Sequence, residues 1–412
     1  MSDAIDARLA VQYEALPYPA RDPRDETKRL VIGSPGHLRE IEYWLFGGRW
    51  PEHGVRALFA GGGTGDGAIM FAQQRADENR PGSVTWLDRS AASLRIARDR
   101  ADARHLTLHW EQRSLLDLPN ARLGLFDYID CCGVLHHLPD QAEGLRALTS
   151  ALAPGGGIGL MVYAPHGRTG VYMLQDALRL LAPPDEPLAA RIDTAKRMLK
   201  HLPATAWLTA NPSVRDHVIG GDAGIADLLL NPRDQAFTVP ALTSLLASAG
   251  LEPVCWIEPV RYDPARLLPD PRLRARIEHL DPTERAALAE SLAGNMAVHI
   301  VYCVRKGQAP TRPDPLDPSA IPVTREGTGA DLATPIADNN TLTMVIDGLR
   351  LVQPMPSLAR AILTLIDGTK SVADIEAVFA SRGISADAFR RAWRDTFTAL
   401  EQQNRLFLRD PG

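Results

Sequence analysis

The feature that most constrains the fold of this chain is a short apolar segment that runs directly into glycines. Residues 55–60 read Val-Arg-Ala-Leu-Phe-Ala, and five of the next seven residues are glycine. A buried strand that enters a glycine turn and then a helix lets backbone approach a ligand where a Cβ atom would collide with it. We therefore predict the floor of a nucleotide-type cofactor site at Gly61, Gly63 and Gly65.

The glycines alone fit two cofactors. Gly61-x-Gly63-x-Gly65 is the spacing found around S-adenosylmethionine (SAM), whereas Gly63-x-Gly65-x-x-Ala68 fits the dinucleotide fingerprint. Asp88 ends the second predicted strand, where a carboxylate can accept both hydroxyl groups of a ribose; a charge that merely follows a strand is the alternative. Because SAM and NAD both carry a ribose, Asp88 supports either cofactor, and both remain open here.

The composition excludes several classes of protein. With 412 residues, of which 45% are hydrophobic and 23% charged, the chain is expected to form two or three ordinary globular domains. A net charge of −5 gives no overall attraction to nucleic acid or to an anionic membrane. No apolar stretch approaches the roughly 20 residues of a membrane helix, and the N-terminus lacks the pattern of a signal peptide. The four cysteines have no metal-ligand spacing. We therefore predict a cytoplasmic protein without a metal, a membrane partner or a nucleic-acid partner.

The order of the predicted elements indicates an α/β protein. Strand and helix patterns alternate from residue 51 to 163, which predicts parallel strands, right-handed crossovers and a doubly wound Rossmann-like sheet. Residues 165 to about 235 are predicted to form a helical insertion, and two later strands could complete the sheet. The predicted domains are an N-terminal arm (1–50), a core with this insertion (51–306), a Pro-rich linker (307–339) and a C-terminal module (340–412).

The C-terminal module has the pattern of a small α+β domain. Asp347-Gly348 between two short apolar runs is a strong hairpin signal, and three helices and a strand follow, as in a winged helix. Nine basic against eight acidic residues in 340–412 disfavour nucleic-acid binding. The segment 359–375 resembles small peptide-recognition modules, which bind a peptide as an added strand at a hairpin edge. A dimerisation domain, giving a homodimer, and a capping domain are the alternatives.

Later motifs separate the two cofactors. Residues 132–140 read Cys-Gly-Val-Leu-His-His-Leu-Pro-Asp, and residues 152–157 read Leu-Ala-Pro-Gly-Gly-Gly. With the glycine loop and Asp88, this order resembles the class I SAM-dependent methyltransferase family, closely over 55–163 and more loosely over 236–304. The resemblance implies SAM as the cofactor. It also implies a set of cofactor-binding residues: Gly61, Gly63, Thr64, Gly65, Asp88, Ser114, Leu115 and Cys132.

The resemblance also implies residues near the methyl acceptor. His136 and His137 would lie at the rim of the transfer site, where a neutral imidazole can remove a proton from an attacking nitrogen or oxygen; alternatively they only close the pocket. Tyr163 and Arg168, just after the fifth strand, would face the acceptor. Arg168 would pair with a carboxylate of the acceptor or with an acidic neighbour.

The N-terminal arm carries a motif of its own. Tyr13-Glu14-x-x-Pro17-Tyr18-Pro19 resembles an element of bacterial methyltransferases, including protein-lysine methyltransferases with a regulatory C-terminal region. In such enzymes the aromatic residue folds over the cofactor or acceptor pocket, which makes Tyr18 a candidate substrate-binding residue. A proline-rich arm packed on the surface is the alternative.

One departure from the family pattern concerns the methionine end of SAM. The family often carries an acidic residue two positions before the first glycine, and this chain has Phe59 there. The sequence leaves open which residue takes its place.

The resulting hypothesis is methyl transfer from SAM to an N or O nucleophile of a protein, a peptide or a small metabolite. The absence of Asn-Pro-Pro-Tyr disfavours adenine-N6 and glutamine-amide acceptors. The alternatives are a non-catalytic methyltransferase-like scaffold with a partner-binding module, and an NAD-dependent oxidoreductase, which would lack the Tyr-x-x-x-Lys pair.

Overall fold

A computed structural model describes residues 2–411, and a seven-stranded sheet forms its centre. The strand order is β3-β2-β1-β4-β5-β7-β6; the neighbours from β3 to β5 are parallel, and β7 runs antiparallel to both β5 and β6. This is the doubly wound α/β sheet predicted from the sequence. The strands are β1 Val55–Ala60, β2 Gly82–Asp88, β3 His109–Gln112, β4 Phe126–Cys132, β5 Leu152–Tyr163, β6 Leu251–Trp256 and β7 Val298–Arg305.

Helices cover both faces of the sheet. β1 illustrates why: Val55, Ala57 and Phe59 pack into one apolar cluster, and Leu58 and Ala60 pack into the cluster on the other face. Such a strand is apolar on both sides because neither side meets water. The helices are α1 Ser2–Ala15, α2 Leu38–Glu40, α3 Asp66–Asp77, α4 Ala91–Ala103, α5 Gln141–Ser150, α6 Val171–Leu181, α7 Leu188–Lys200, α8 Trp207–Ala210, α9 Asp216–Ile219, α10 Gly221–Leu229, α11 Val239–Ser248, α12 Pro271–Ile277, α13 Pro282–Ala293, α14 Gly329–Ala333, α15 Ala359–Leu363, α16 Val372–Ala380 and α17 Ala386–Glu401.

The connection between β5 and β6 begins with a helical segment where the insertion was predicted. It contains α6 to α10 and has its own apolar cluster, which includes Val171, Ile192 and Leu228. α10 is buried along its length apart from its first two residues, because its sequence is almost entirely small or apolar. The insertion is therefore a packed unit with an apolar core of its own.

The C-terminal module contains the predicted hairpin, the three predicted helices and a final strand. The hairpin strands are β9 Thr341–Ile346 and β10 Leu349–Pro354, and both turn residues, Asp347 and Gly348, have positive φ, as a two-residue hairpin turn requires. The final strand, β11 Leu406–Arg409, does not join this hairpin. It pairs instead with β8 Ile321–Thr324, so the module has two separate two-stranded sheets, which differs from the winged-helix prediction.

The predicted linker at 307–339 is wrong for its second half. Residues 321–324 form β8 and residues 329–333 form α14. The segment is too poor in apolar residues to fold alone, but Val323, Leu332 and Ile336 are buried in the same cluster as the C-terminal helices. The C-terminal module thus begins near residue 320, because these residues complete its core.

The module also packs against the segment that precedes β1. The Trp44 indole N–H donates a hydrogen bond of 3.0 Å to Oδ1 of Asn404, and the Tyr43 ring stacks on Phe407 with a centroid separation of 5.1 Å. Within residues 2–411, no helix has both the length and the apolar character needed to cross a bilayer.

Candidate functional site

A cavity of about 870 Å³ lies at the carboxyl ends of the parallel strands. Its lining includes Phe59 of β1, Asp88 of β2, Cys132 of β4 and Tyr163 of β5. Ligands of doubly wound sheets bind at this edge, where neighbouring connections leave the sheet in opposite directions. The cavity is therefore the candidate site.

The glycine loop after β1 forms one wall of this cavity. Gly61 has a φ of +78°, and a Cβ atom there would lie 2.2 Å from Cγ2 of Val134, so only glycine fits without movement. The Gly63 N–H donates a hydrogen bond of 2.9 Å to Asp88, which ties the loop to the end of β2. Gly61, Gly63 and Thr64 line the cavity, whereas Gly65 lies behind them as the N-cap of α3.

Replacing Gly61 with alanine is expected to weaken binding of S-adenosylhomocysteine (SAH) at least about tenfold. The left-handed backbone is costly for an L-residue, by about 1–2 kcal/mol, and the methyl group would push Val134 or the loop away from the ligand. Isothermal titration measures the effect. Gly155→Ala is the matched control, because Gly155 also has a positive φ of +72° but lies outside the cavity with nothing within 4 Å of the added atom. Equal affinity in the wild type and Gly61→Ala would contradict this role of the loop.

The other predicted cofactor residues line the same cavity. Asp88 accepts hydrogen bonds from the backbone N–H groups of Gly63 and Ser90, while burial raises the pKa of its carboxyl group. Ser114 caps the helical turn 115–120, accepting from the Leu116 N–H at 3.2 Å, and so holds Leu115 beside it. Ser114, Leu115 and Cys132 all contribute to the lining. These residues therefore lie around one cavity.

The N-terminal arm closes over the glycine loop. Pro19 accepts a hydrogen bond of 2.8 Å from the Thr64 hydroxyl, and Arg21 forms an ion pair of 2.5 Å with Asp66 at the start of α3. Tyr18 lines the cavity, and its hydroxyl donates a hydrogen bond of 2.5 Å to Asp216 in the insertion. The arm therefore connects the cofactor loop with the insertion.

The two histidines of the loop after β4 have different surroundings. His136 is fully buried and does not line the cavity; neither of its ring nitrogens has a hydrogen-bond partner among the described residues, and burial lowers its pKa well below the ordinary value. His137 lines the cavity, and its Nδ1 lies 2.7 Å from the backbone oxygen of Arg233. Because a carbonyl oxygen only accepts, Nδ1 carries the proton of the neutral ring, and Nε2 has the free lone pair.

The prediction that His136 is a catalytic residue is therefore corrected. Its ring stacks on Tyr163 with a centroid separation of 3.8 Å, and Arg168 also packs on Tyr163, with Cζ 3.7 Å from the ring centre. Arg168 is buried and forms an ion pair of 2.7 Å with Asp234, which is the second of the two alternatives considered for it. Arg168 does not line the cavity. Both residues thus position Tyr163.

Asp227 and Tyr13, which line the cavity together with Tyr163, were not identified as site residues from the sequence. Asp227 of α10 lines the cavity and accepts hydrogen bonds from the hydroxyl groups of Tyr13, at 2.7 Å, and Tyr163, at 3.0 Å. Burial and the charge of Asp227 raise the pKa of both tyrosines, so both phenols stay protonated. The arm, β5 and the insertion meet only in the folded chain, so no local pattern in the sequence could have indicated this cluster.

A second carboxylate that was not predicted also lines the cavity. Asp130 of β4 is buried, lines the cavity and accepts a hydrogen bond of 2.8 Å from the Tyr128 hydroxyl. Burial raises its pKa to about 7, against the opposing effect of that hydrogen bond. It pairs in register with Phe59, the residue at which the family pattern is broken.

The geometry fits SAM: the glycine loop allows close approach of a ligand, Asp88 faces the cavity at the end of β2, and Ser114 and Leu115 follow the next strand.

Comparisons with known proteins agree with this cofactor. A family profile described as a methyltransferase domain matches residues 58–158. A protein of Synechococcus sp. that carries no functional description is 30% identical over 302 residues, which cover 71% of this chain and 70% of that protein.

Two further comparisons concern named methyltransferases. The ubiquinone biosynthesis O-methyltransferase of Pectobacterium atrosepticum is 31% identical over 155 residues; the match covers 37% of this chain and 59% of that protein, so this chain spans about three fifths of its length. Among solved structures, PKMT2 from Rickettsia typhi has the same fold, with a TM-score of 0.65, 15% identity and coverage of 92% of this chain and 75% of that one. The same protein has been solved in complex with AdoHcy. Residues 58–158 therefore form a methyltransferase domain, and the cofactor of this protein is SAM.

Proposed function

We propose that this protein transfers a methyl group from SAM to an N or O nucleophile, and that the acceptor is a polypeptide. The observation that carries the transfer reaction is that one cavity joins the glycine loop and Asp88 to His137, Tyr163 and Asp227. A site for the cofactor and a site for proton removal would therefore share one cavity.

The chain's own residues would bind and orient the two reactants and would remove a proton from the acceptor. SAM supplies a methyl group already activated by a sulfonium, so the protein contributes mainly by positioning the two reactants. Nε2 of His137 takes the proton that the attacking O–H or N–H group loses as its bond to the methyl group forms. Tyr163 and Tyr13, held by Asp227, provide an aromatic wall with fixed hydroxyl groups at this end.

One feature, the hairpin of the C-terminal module, supports a polypeptide acceptor. The hairpin of the C-terminal module exposes two valines, Val345 at 67% and Val352 at 50%. The pairing register places both valines on the same side of the two strands, next to Thr343 and Arg350. An exposed two-stranded ribbon with such a face is suited to holding an extended peptide. The O-methyltransferase relative favours oxygen as the nucleophile, and its match covers 37% of this chain.

Methyl labelling of a cell extract tests this proposal. The purified protein is incubated with tritiated SAM and extract, and the polypeptide and small-molecule fractions are counted separately. We expect label in the polypeptide fraction, reduced at least about tenfold by the double substitution Val345→Glu and Val352→Glu, with SAH affinity unchanged. Label only in the small-molecule fraction would contradict the polypeptide acceptor, and SAH binding without label in either fraction would indicate a non-catalytic scaffold.

A further inference from the structure

At position 59, where the family often carries an acidic residue, this chain has a buried phenylalanine. Its ring cannot form an ion pair with a charged group. Phe59 is 2% exposed, and its ring packs against Phe71 and Tyr128 with centroid separations of 5.9 and 6.1 Å. The methionine end of SAM carries an ammonium group, which needs a carboxylate or several acceptors when it leaves water. Phe59 offers neither.

A carboxylate is present one strand away. Phe59 of β1 pairs with Asp130 of β4, and both residues line the cavity. Asp130 is 4% exposed, and the one side chain that donates to it is the neutral Tyr128 hydroxyl. Within residues 2–411, no lysine, arginine or histidine forms an ion pair with it, and its charged neighbour is another carboxylate, Glu40. A buried carboxylate without a cation is costly unless a ligand supplies one.

The space around this carboxylate is kept open by two glycines. A Cβ atom at Gly36 would lie 3.1 Å from Oδ2 of Asp130, and one at Gly67 would lie 3.9 Å from Oδ1 and 3.1 Å from the Phe59 ring. Larger side chains at either position would cover the carboxylate. Gly67 is also part of the cavity wall, in the first turn of α3, so the opening faces the cofactor site.

We propose that Asp130 binds the α-ammonium group of the methionine part of SAM and so replaces the acid that is absent at Phe59. The inference rests on SAM occupying this cavity. Its physical basis is that the ammonium neutralises a buried carboxylate that has no other cation, and a hydrogen bond between charged groups in such a site is strong. Asp88 at the ribose and Asp130 at the amino-acid end would then fix the two ends of the cofactor on either side of the glycine loop.

Two ligands distinguish this contact from a general effect on the cavity. SAH carries the ammonium group and has no sulfonium, whereas 5′-methylthioadenosine lacks the whole amino-acid part. Each is titrated calorimetrically into the wild type, Asp130→Asn and Asp127→Asn. The asparagine at 130 still offers an oxygen to Tyr128. Asp127 is the matched control, because it lies on the same strand, accepts a hydrogen bond from the backbone N–H of Arg56 and does not line the cavity.

We expect Asp130→Asn to weaken SAH about 10- to 100-fold and to leave 5′-methylthioadenosine within about twofold of wild type. Asp127→Asn should leave both affinities unchanged. The thermal midpoint of Asp130→Asn should not fall, since a neutral amide replaces a desolvated carboxylate. Unchanged SAH affinity, or equal losses of affinity for both ligands, would overturn the role proposed for Asp130. Neither result would overturn the cofactor site itself. Failure of SAH to bind the wild type would overturn the cofactor site itself.

Discussion

Replacing His137 with asparagine is expected to lower the rate of methyl transfer about 10²- to 10⁴-fold, with SAH affinity within a few-fold of wild type. Asparagine keeps an N–H group at the position of Nδ1, so the hydrogen bond to the Arg233 oxygen is retained. It has no atom equivalent to the Nε2 lone pair. The substitution therefore removes the proton acceptor and preserves the local structure.

The measurement is a single-turnover assay on the extract fraction that the wild type labels. His136→Asn is the comparison, because His136 is the neighbouring residue, does not line the cavity and packs on Tyr163. We expect that variant to lose thermal stability and to keep more activity than His137→Asn. If both variants transfer methyl groups at the wild-type rate, His137 is not the base and positioning alone accounts for the reaction.

Replacing Glu40 with alanine is expected to lower the free energy of unfolding by about 3–5 kcal/mol. Glu40 is fully buried and accepts four side-chain hydrogen bonds: from Ser34 and Asn404 at 2.6 Å each, from Arg325 Nε at 2.6 Å and from Tyr302 at 2.8 Å. These partners come from the loop before β1, from β7 and from the C-terminal module. Removing the carboxylate leaves a largely buried guanidinium and three further donors without their acceptor.

The same change should also weaken SAH binding. Arg325 donates a hydrogen bond of 3.0 Å to the Gly33 oxygen, and Gly33 and Ser34 line the cavity. The C-terminal module therefore supports one wall of the cofactor site. Chemical denaturation and SAH titration measure the two effects. Glu326→Ala is the matched control, because Glu326 pairs with the same arginine at the surface, where an ion pair contributes about 0–1 kcal/mol. Equal stability of the two variants would show that the Glu40 network does not hold the module in place.

The cofactor end of the site could be predicted because its signals are local. A strand, a glycine turn and a helix are adjacent in the chain, and Asp88 ends the next strand. The acceptor end could be predicted only in part. Leu135–His137 form a single helical turn, and which of its two histidines faces the cavity depends on packing against Tyr163 and on the carbonyl group of Arg233.

Residues that act across the fold were not predictable in the same way. Asp227 and Asp130 become site residues only through contacts with distant elements. Arg168 forms its ion pair with Asp234, which lies 66 positions later in the chain. The strand at 321–324 was missed because its partner is at the end of the chain. In each case a long-range contact, which no short pattern encodes, determines the role of the residue.

The most direct test of the account is a calorimetric comparison of SAH and NADH binding to the wild type and to Asp88→Ala. Asp88 has no ion pair to a cation among residues 2–411, so its removal should act through the ribose and through the Gly63 N–H group that it holds. We predict one SAH per chain, no NADH binding, and at least about a tenfold loss of SAH affinity in Asp88→Ala. Tight NADH binding without SAH binding, or SAH affinity that Asp88→Ala leaves unchanged, would contradict the assignment of this cavity.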